Sequence, residues 1–266
     1  MPIARPALTE HTADAGLPRL VRDAAAWARL LTRDPDGHAA DCPYARLLAP
    51  ATAADGAFVL GRMAQSLDGR IATASGKSFW ISGPDDILHT HRLRALFDAV
   101  VVGAATVQAD DPLLTTRLCP GPSPVRVVID TNRLLASTHR LFHDGRPTLV
   151  LCADDAAGPE QIGSAELLRL PRLPGSGLDL ALVIERLAAR GLKRIFVEGG
   201  GITVSRFLAA RLLDRLHVTI APLLLGAGIP AFTLPGVDDP QQGRRLEWSV
   251  YQLGADLLLD IPLERA

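Results

Sequence analysis

Glu198-Gly199-Gly200-Gly201-Ile202-Thr203 is the segment of this chain whose residue types point most directly to chemistry. Three successive glycines let a backbone approach a ligand without Cβ clashes. The apolar run Ile195-Phe196-Val197 ahead of them reads as a buried strand, and Thr203 to Arg211 reads as a helix. A helix start presents unpaired N–H groups and a partial positive charge, which suits a phosphate. The hydroxyls of Thr203 and Ser205 add donors. A tight turn that holds nothing is the other reading of the same residues.

Acids and cations gather in a second region. The run Thr106-Val107-Gln108-Ala109-Asp110-Asp111-Pro112 follows a wholly apolar strand, Ala99-Val100-Val101-Val102-Gly103. Ligands of open α/β sheets collect at the C-terminal ends of strands, so Asp110 and Asp111 are candidate site acids. A solvated pair at a helix stop is the plain alternative. Arg94 and Arg117 flank this run, and each guanidinium can grip a phosphate with two N–H groups. Taken singly, each reads as a surface residue, because all but Lys77 and Lys193 of the 28 Lys and Arg residues are arginine. The loop Ser78-Phe79-Trp80-Ile81-Ser82-Gly83 combines hydroxyls with aromatic rings, as loops that line sites often do.

Three other patterns carry less. Ser75-Gly76-Lys77-Ser78 ends like a P-loop, but the glycine that motif needs five residues before Gly76 is Ile71. Gly226-Ala227-Gly228-Ile229-Pro230-Ala231 spells a dinucleotide fingerprint, yet Pro230 and Pro235 oppose the helix that must follow. A loop or bulge is expected there. His89 and His91, two apart on a helix, point in different directions and make no metal pair. No metal site is expected, and no nucleophile elbow of a serine hydrolase stands out.

The elements that must position these residues read as alternating strands and helices. Strands are expected from Phe58 towards Gln65, over Ala99–Gly103, Val125–Asp130, Thr148–Leu151 and Lys193–Glu198, and over Leu216–Leu225 with Pro222 at its border. Helices are expected over Pro84–Phe97 with Ser82 as cap, over Leu180–Arg190 with Gly191 as stop, and over Thr203–Arg211. A closing hairpin, Glu247–Leu253 and Leu257–Ile261, turns at Gly254-Ala255-Asp256. Helical crossovers between apolar strands imply a mixed, mostly parallel sheet covered on both faces, a three-layer α/β/α fold ending in an antiparallel hairpin. Residues 1–55 differ in texture. Val21, Ala24, Ala25, Ala28 and Leu31 fall near helical spacing with Trp27 beside them, ahead of a Pro/Asp/Gly/His segment at 34–43. A helical extension and linker is expected at 1–55, packed on a main domain at 56–266 or on a partner subunit.

Composition bounds the function class. With 266 residues, 48% hydrophobic and 21% charged, the chain can bury a core without disulfide or metal. A net charge of −1 gives no general attraction to nucleic acid or anionic membranes. Cys42, Cys119 and Cys152 are far apart and form no C-x-x-C, which excludes a zinc ribbon and a dithiol redox motif and fits a reducing compartment. The most apolar stretch, near Leu216 to Phe232, is broken by His217, Pro222, Gly226, Gly228 and Pro230, a poor membrane span. The first residues hold no apolar signal run, so a soluble cytoplasmic protein is expected.

Ordered blocks along the chain resemble one family. They are Ser66–Ala72, Gly76–Gly83, His91–Ala95, Asp98–Gly103, Thr106–Thr115, Val197–Gly200 and Ala221–Gly226. From Ala57 onward the chain resembles the reductase domain of the bacterial riboflavin-biosynthesis deaminase–reductase. The resemblance implies a dihydrofolate-reductase-like fold, NADPH as cofactor and a homodimer. It implies reduction of a small phosphorylated pyrimidine, 5-amino-6-(5-phosphoribosylamino)uracil, to its ribitylamino product. By the same resemblance Ala64, Trp80, Thr106, Asp110 and Thr131 line the cofactor site, and Gly200, Gly201, Ile202, Thr203, Val204, Ser205 and Arg206 hold its phosphates. Ser78, Arg94, Leu114, Arg117 and Glu198 fall at the substrate positions, with Arg94 and Arg117 as clamps for the sugar phosphate. Asp110 and Glu198 are the acids at hand for proton delivery, with water as the alternative. Thr131 and Arg133 are the expected contacts of the 2′-phosphate. Gly201 stands where relatives often carry Ala or Pro, which is expected to loosen the turn. The motifs of the family's usual zinc deaminase, H-x-E and P-C-x-x-C, do not occur in this chain, so deamination is not expected. An NADPH-dependent reductase of a related pterin or pyrimidine is the alternative function, and a non-catalytic nucleotide-binding protein a more distant one.

Overall fold

The structure, a computed structural model, describes residues 24–32, 42–79, 81–173, 175 and 177–265. In chain order its strands are β1 (Phe58–Ser66), β2 (Arg70–Thr73), β3 (Ala99–Gly103), β4 (Val125–Ile129), β5 (Thr148–Ala153), β6 (Glu166–Leu170), β7 (Arg172–Leu173), β8 (Gly177–Leu178), β9 (Arg194–Glu198), β10 (Arg215–Ala221), β11 (Gly228–Pro230), β12 (Ser249–Leu253) and β13 (Asp256–Pro262). Its helices are α1 (Ala24–Leu31), α2 (Pro43–Leu47), α3 (Pro84–Leu96), α4 (Ala104–Asp110), α5 (Leu180–Ala189) and α6 (Gly201–Ala209).

Nine strands form one sheet in the order β12-β13-β10-β1-β9-β3-β4-β5-β6. From β10 to β6 neighbouring strands are parallel, and the closing hairpin β12–β13 joins β10 antiparallel. This is the mixed, mostly parallel sheet with a terminal hairpin expected from the sequence. Along β3, Ala99 and Val101 enter one core while Val100 and Val102 enter the other; Ile195 and Val197 oppose Phe196 along β9 in the same way. Side chains alternate across a strand, and both faces are covered, so these strands read as unbroken apolar runs. α5 and α6 cover the first core through Val183, Ile184, Leu187, Val204 and Phe207. α1 to α4 cover the second through Trp27, Leu30, Tyr44, Leu47, Leu93, Leu96 and Val107. Helices on both faces complete three layers. Among the described residues no helix is long and apolar enough to cross a membrane.

Several local expectations change. α3 begins with Pro84, as anticipated, but Gly83 is its cap and the expected Ser82 cap is not made. The Gly83 N–H instead donates to the Asp256 carboxylate of β13 at 2.6 Å. α3 shows no apolar stripe because it buries Asp86, His89, His91, Arg92 and Arg94. α1 buries Trp27 and Leu30 and leaves Ala24, Ala25 and Ala28 exposed, contrary to the spacing read from the alanines. A methyl group gains little from burial, so the two large side chains set the helix's rotation. Val21 lies outside the described residues. α6 starts at Gly201 rather than Thr203, and β6, whose Glu-Leu-Leu-Arg-Leu lacks alternation, was not anticipated. Gly228–Pro230 pairs with β2 with a register shift between Ile229 and Pro230, the irregular segment expected there.

Candidate active site

Parallel pairing sets Arg62 of β1 opposite Glu198 of β9 and Val101 of β3 opposite Val197, so three strands end at one edge of the sheet. A cavity of about 740 Å³ opens beyond that edge. Its walls differ in kind.

One wall is glycine. Gly199 and Gly200 adopt φ of +58° and +68°, a left-handed backbone that a side chain would strain. A Cβ on Gly200 would lie 2.6 Å from the Thr106 hydroxyl. A Cβ on Gly201 would lie 2.8 Å from the carbonyl oxygens of both Pro230 and Ala231. The turn is therefore packed at Gly201 rather than loosened, which corrects that expectation. α6 starts at this point, with Ile202 and Thr203 also on the cavity and Thr106, Ala105 and Ala64 facing them. The result is a shallow cradle of small residues, hydroxyls and helix-start N–H groups, suited to a phosphate-bearing ligand.

The other wall is charge. Arg94 of α3 donates from Nε to Glu198 Oε2 at 2.8 Å and from Nη2 to Oε1 at 2.5 Å, and from Nη1 to the Thr115 carbonyl at 3.0 Å. Its two-pronged face is thus spent on Glu198, and Arg117 is the more exposed cation of the expected pair. Arg117 donates from Nη1 to Thr115 Oγ1 at 2.9 Å, and its backbone N–H donates to His91 Nδ1 at 2.9 Å. Burial and the neighbouring Arg94 and Arg117 push His91 down to about 4, so it is neutral near pH 7 and its Nδ1 is an acceptor. Below them Arg62 pairs with the buried Asp86, which also accepts from Thr219 Oγ1 at 2.7 Å. Burial opposes ionisation of Glu198, yet the Arg94 guanidinium outweighs it and holds the carboxyl below its ordinary range. Asp110 behaves oppositely: burial raises it, and its hydrogen bond from Ser78 Oγ is long at 3.4 Å.

Ala64, Thr106, Asp110, Gly200, Gly201, Ile202, Thr203, Ser78, Arg94, Leu114, Arg117 and Glu198 therefore converge on one cavity. Thr131 and Arg206 line an adjoining depression, which Ile202 and Thr203 share with the cavity. A Cβ on Gly177 would lie 3.4 Å from Thr131 Oγ1 and 3.6 Å from Arg206 Nη2, so both groups border Gly177. Arg133 does not join them; it donates to the Pro159 carbonyl, and its place beside Thr131 is taken by Arg206. Val204 is buried in the core, and Ser205 Oγ accepts from the Thr233 N–H at 2.8 Å, so neither lines the cavity. Trp80 lies outside the described residues. Arg62, Asp86 and Thr90 line the cavity without having been singled out, and His91, weighed only as a metal ligand, lines it as well. The signal for Arg62 was a charge inside the apolar strand Phe58-Val59-Leu60-Gly61-Arg62-Met63.

A family model described as the RibD C-terminal domain matches residues 57–259. The 2,5-diamino-6-ribosylamino-4(3H)-pyrimidinone 5′-phosphate reductase of Methanothermobacter thermautotrophicus is 39% identical over 213 residues, covering 76% of this chain and 96% of that protein. The riboflavin biosynthesis protein RibD of Escherichia coli is 32% identical over 221 residues, covering 77% of this chain but only 59% of that protein. Among solved structures, the diaminohydroxyphosphoribosylaminopyrimidine deaminase/5-amino-6-(5-phosphoribosylamino)uracil reductase of Thermotoga maritima superposes with a TM-score of 0.66 at 27% identity. That alignment covers 78% of this chain and 56% of the other. The chain thus spans a little over half of the two-activity relatives and nearly all of the reductase.

Proposed function

The chain belongs to the RibD C-terminal domain family, and from that premise we propose that it reduces a phosphoribosylaminopyrimidine of riboflavin biosynthesis with NADPH. In the ring-opened form the C1′–O4′ bond has broken, O4′ has taken the proton of the attached nitrogen, and C1′ is doubly bonded to that nitrogen. C1′ then accepts a hydride, the nitrogen accepts a proton, and a ribosylamino compound becomes ribitylamino. The cofactor, when bound, supplies that hydride.

The observation that carries this reading is the meeting of both walls at the end of β9. Glu198, tied to Arg94, is followed directly by the glycine turn, so a site for a charged sugar and a site for a dinucleotide share one strand end. The cradle that a Cβ at Gly200 would fill fits a cofactor phosphate, and Arg206 beside Thr131 supplies a cation for the 2′-phosphate that distinguishes NADPH. Arg117 is the clamp for the sugar phosphate, and Arg94 holds Glu198 against the ribose hydroxyls. Of the two candidate acids, Glu198 is held ionised, so Asp110 is the one suited to carry a proton.

Two ring forms fit the premise. The uracil carries an oxo group at ring position 2; the compound in the reductase relatives' name carries an amino group there. The near end-to-end match to that reductase favours the amino form. Loss of NADPH absorbance, with each phosphoribosyl compound and dihydrofolate offered side by side, decides the matter. Turnover of either pyrimidine bears the reading out and ranks the ring forms. Turnover of dihydrofolate alone overturns it. A homodimer in the cytoplasm is the expected form, checked by light scattering and fractionation.

A further inference from the structure

The family match begins at residue 57, yet the two helices ahead of it are anchored in the fold through fully buried side chains: Trp27, Leu30, Tyr44 and Leu47. Their contacts fall on the two elements that carry the charged wall. The Trp27 indole N–H donates to the Pro120 carbonyl at 2.9 Å, and Leu31 packs where a Cβ on Gly121 would come within 3.1 Å. Both anchors hold the irregular segment between α4 and β4, three to four residues beyond Arg117. On α3, the Arg92 guanidinium lies over the rings of Trp27 and Tyr44, 5.2 and 5.8 Å from their centroids. The Tyr44 hydroxyl is hydrogen-bonded to His89 Nδ1 at 2.8 Å, and His89 stacks on His217.

His89 and Arg92 are three residues apart and share one face of α3; His91 and Arg94 share another. The first face is held by α1 and α2, and the second reaches the cavity. The segment that follows α4 has no regular structure of its own, so point anchors fix it. On the cavity side these are the bonds from Arg94 to Thr115 and from the Arg117 backbone to His91. On the outer side it is the bond from Trp27 to Pro120. α3 and the Arg117 segment are thus bracketed from both sides, whereas Gly200 and Gly201 of the glycine wall pack against Thr106, Pro230 and Ala231.

We propose that Trp27 and Tyr44 are positioning residues for the sugar-phosphate side of the cleft, acting through Pro120, Arg92 and His89 on Arg117 and Arg94. The inference rests on the functional reading above in taking that side as the phosphate subsite.

Trp27→Phe tests it, because an aromatic ring remains near Arg92 while the N–H to Pro120 and part of the indole's bulk are lost; Tyr44→Phe, which removes only the hydroxyl bound to His89, is the cleaner companion. KM for the phosphorylated pyrimidine is expected to rise about three- to tenfold, the effect of one lost hydrogen bond, with kcat and NADPH Kd within about twofold. KM for the dephosphorylated nucleoside is expected not to move. Amide exchange across 113–122 is expected to quicken, while exchange across 199–206 stays unchanged. Equal changes for both substrates, or a weakened NADPH Kd, would show general loosening and overturn the proposal. So would unchanged exchange across 113–122. If the unaltered protein turns over neither phosphoribosyl compound, the functional reading fails, whereas the exchange experiment still decides whether Trp27 holds the Arg117 segment.

Discussion

The two walls of the cleft prepare for ligands in opposite ways. The charged wall answers its own charges and donors from within the chain: Glu198 has Arg94, Asp86 has Arg62 and Thr219, and the Arg117 backbone has His91. The glycine wall is built of what is absent, since side chains at Gly200 and Gly201 would occupy the cradle or collide with Thr106, Pro230 and Ala231. Buried charges cost several kcal/mol each to desolvate unless paired, so a wall that presents charge must satisfy it internally first. A wall that presents space needs only a backbone conformation that other residues avoid. The comparison teaches that substitutions on the first wall act on stability and binding together, and those on the second act on one ligand.

Arg94→Met is the strongest way to break this contrast. It leaves the half-buried Glu198 without its hydrogen-bonded partner, with Arg62 on the neighbouring strand the remaining cation, which costs about 1–3 kcal/mol of stability. Denaturant unfolding is expected to show that loss, and pairing the change with Glu198→Leu is expected to recover much of the stability but no turnover. An Arg94→Met protein as stable as the parent would mean that the pair is not preformed. Asp110→Asn comes next. The raised Asp110 carboxyl gives up its proton as pH climbs, so kcat is expected to decline on the alkaline side. The Asn variant is expected to lose about 10²-fold in kcat together with that decline. A variant with undiminished kcat would assign the proton to water. Gly200→Ala sharpens the contrast from the other wall. At φ of +68° and with Thr106 in the way, it is expected to weaken NADPH by about 1–3 kcal/mol in a fluorescence titration, leaving the melting response to the pyrimidine intact.

Asp256→Asn gives the smallest effect. Burial raises Asp256 to about 6, against hydrogen bonding from Gly83. The folded state therefore binds this proton more tightly than the unfolded chain does. That contribution is fully present below the ordinary aspartate pKa and is lost as pH rises through about 6. The Asn variant, which keeps an acceptor for Gly83, is expected to melt roughly 2–4 °C higher at pH 7.5 and no higher at pH 4. A lower melting temperature at pH 7.5 would make the carboxylate a net stabiliser of the α3 start.

Legibility in the sequence followed the range of the interactions. The glycine turn could be read because its signal is local: an apolar strand, three glycines and a helix within nine residues of one another. β3, β9 and the hairpin were legible for the same reason. Arg94 was legible as a site residue, but its partner lies 104 positions away, so its role as the counter-ion of Glu198 was not. α3 was legible as a helix through Pro84, while its buried charged face defies the apolar periodicity that normally orients a helix. The alanines of α1 pointed to the wrong face because spacing carries no weight for side-chain size. Arg133 was expected beside Thr131 at the 2′-phosphate, but its backbone takes a φ of +59° and its side chain is bonded to the Pro159 carbonyl, a contact 26 positions away.

The most direct test of the two-wall account is isotopic. The protein is offered NADPH deuterated at the transferable C4 position with each phosphoribosylaminopyrimidine, and the ribitylamino product is analysed by mass spectrometry and NMR. The account predicts one deuterium, located at C1′. Oxidation of the cofactor with no deuterium at C1′, or no oxidation with either pyrimidine, would contradict it.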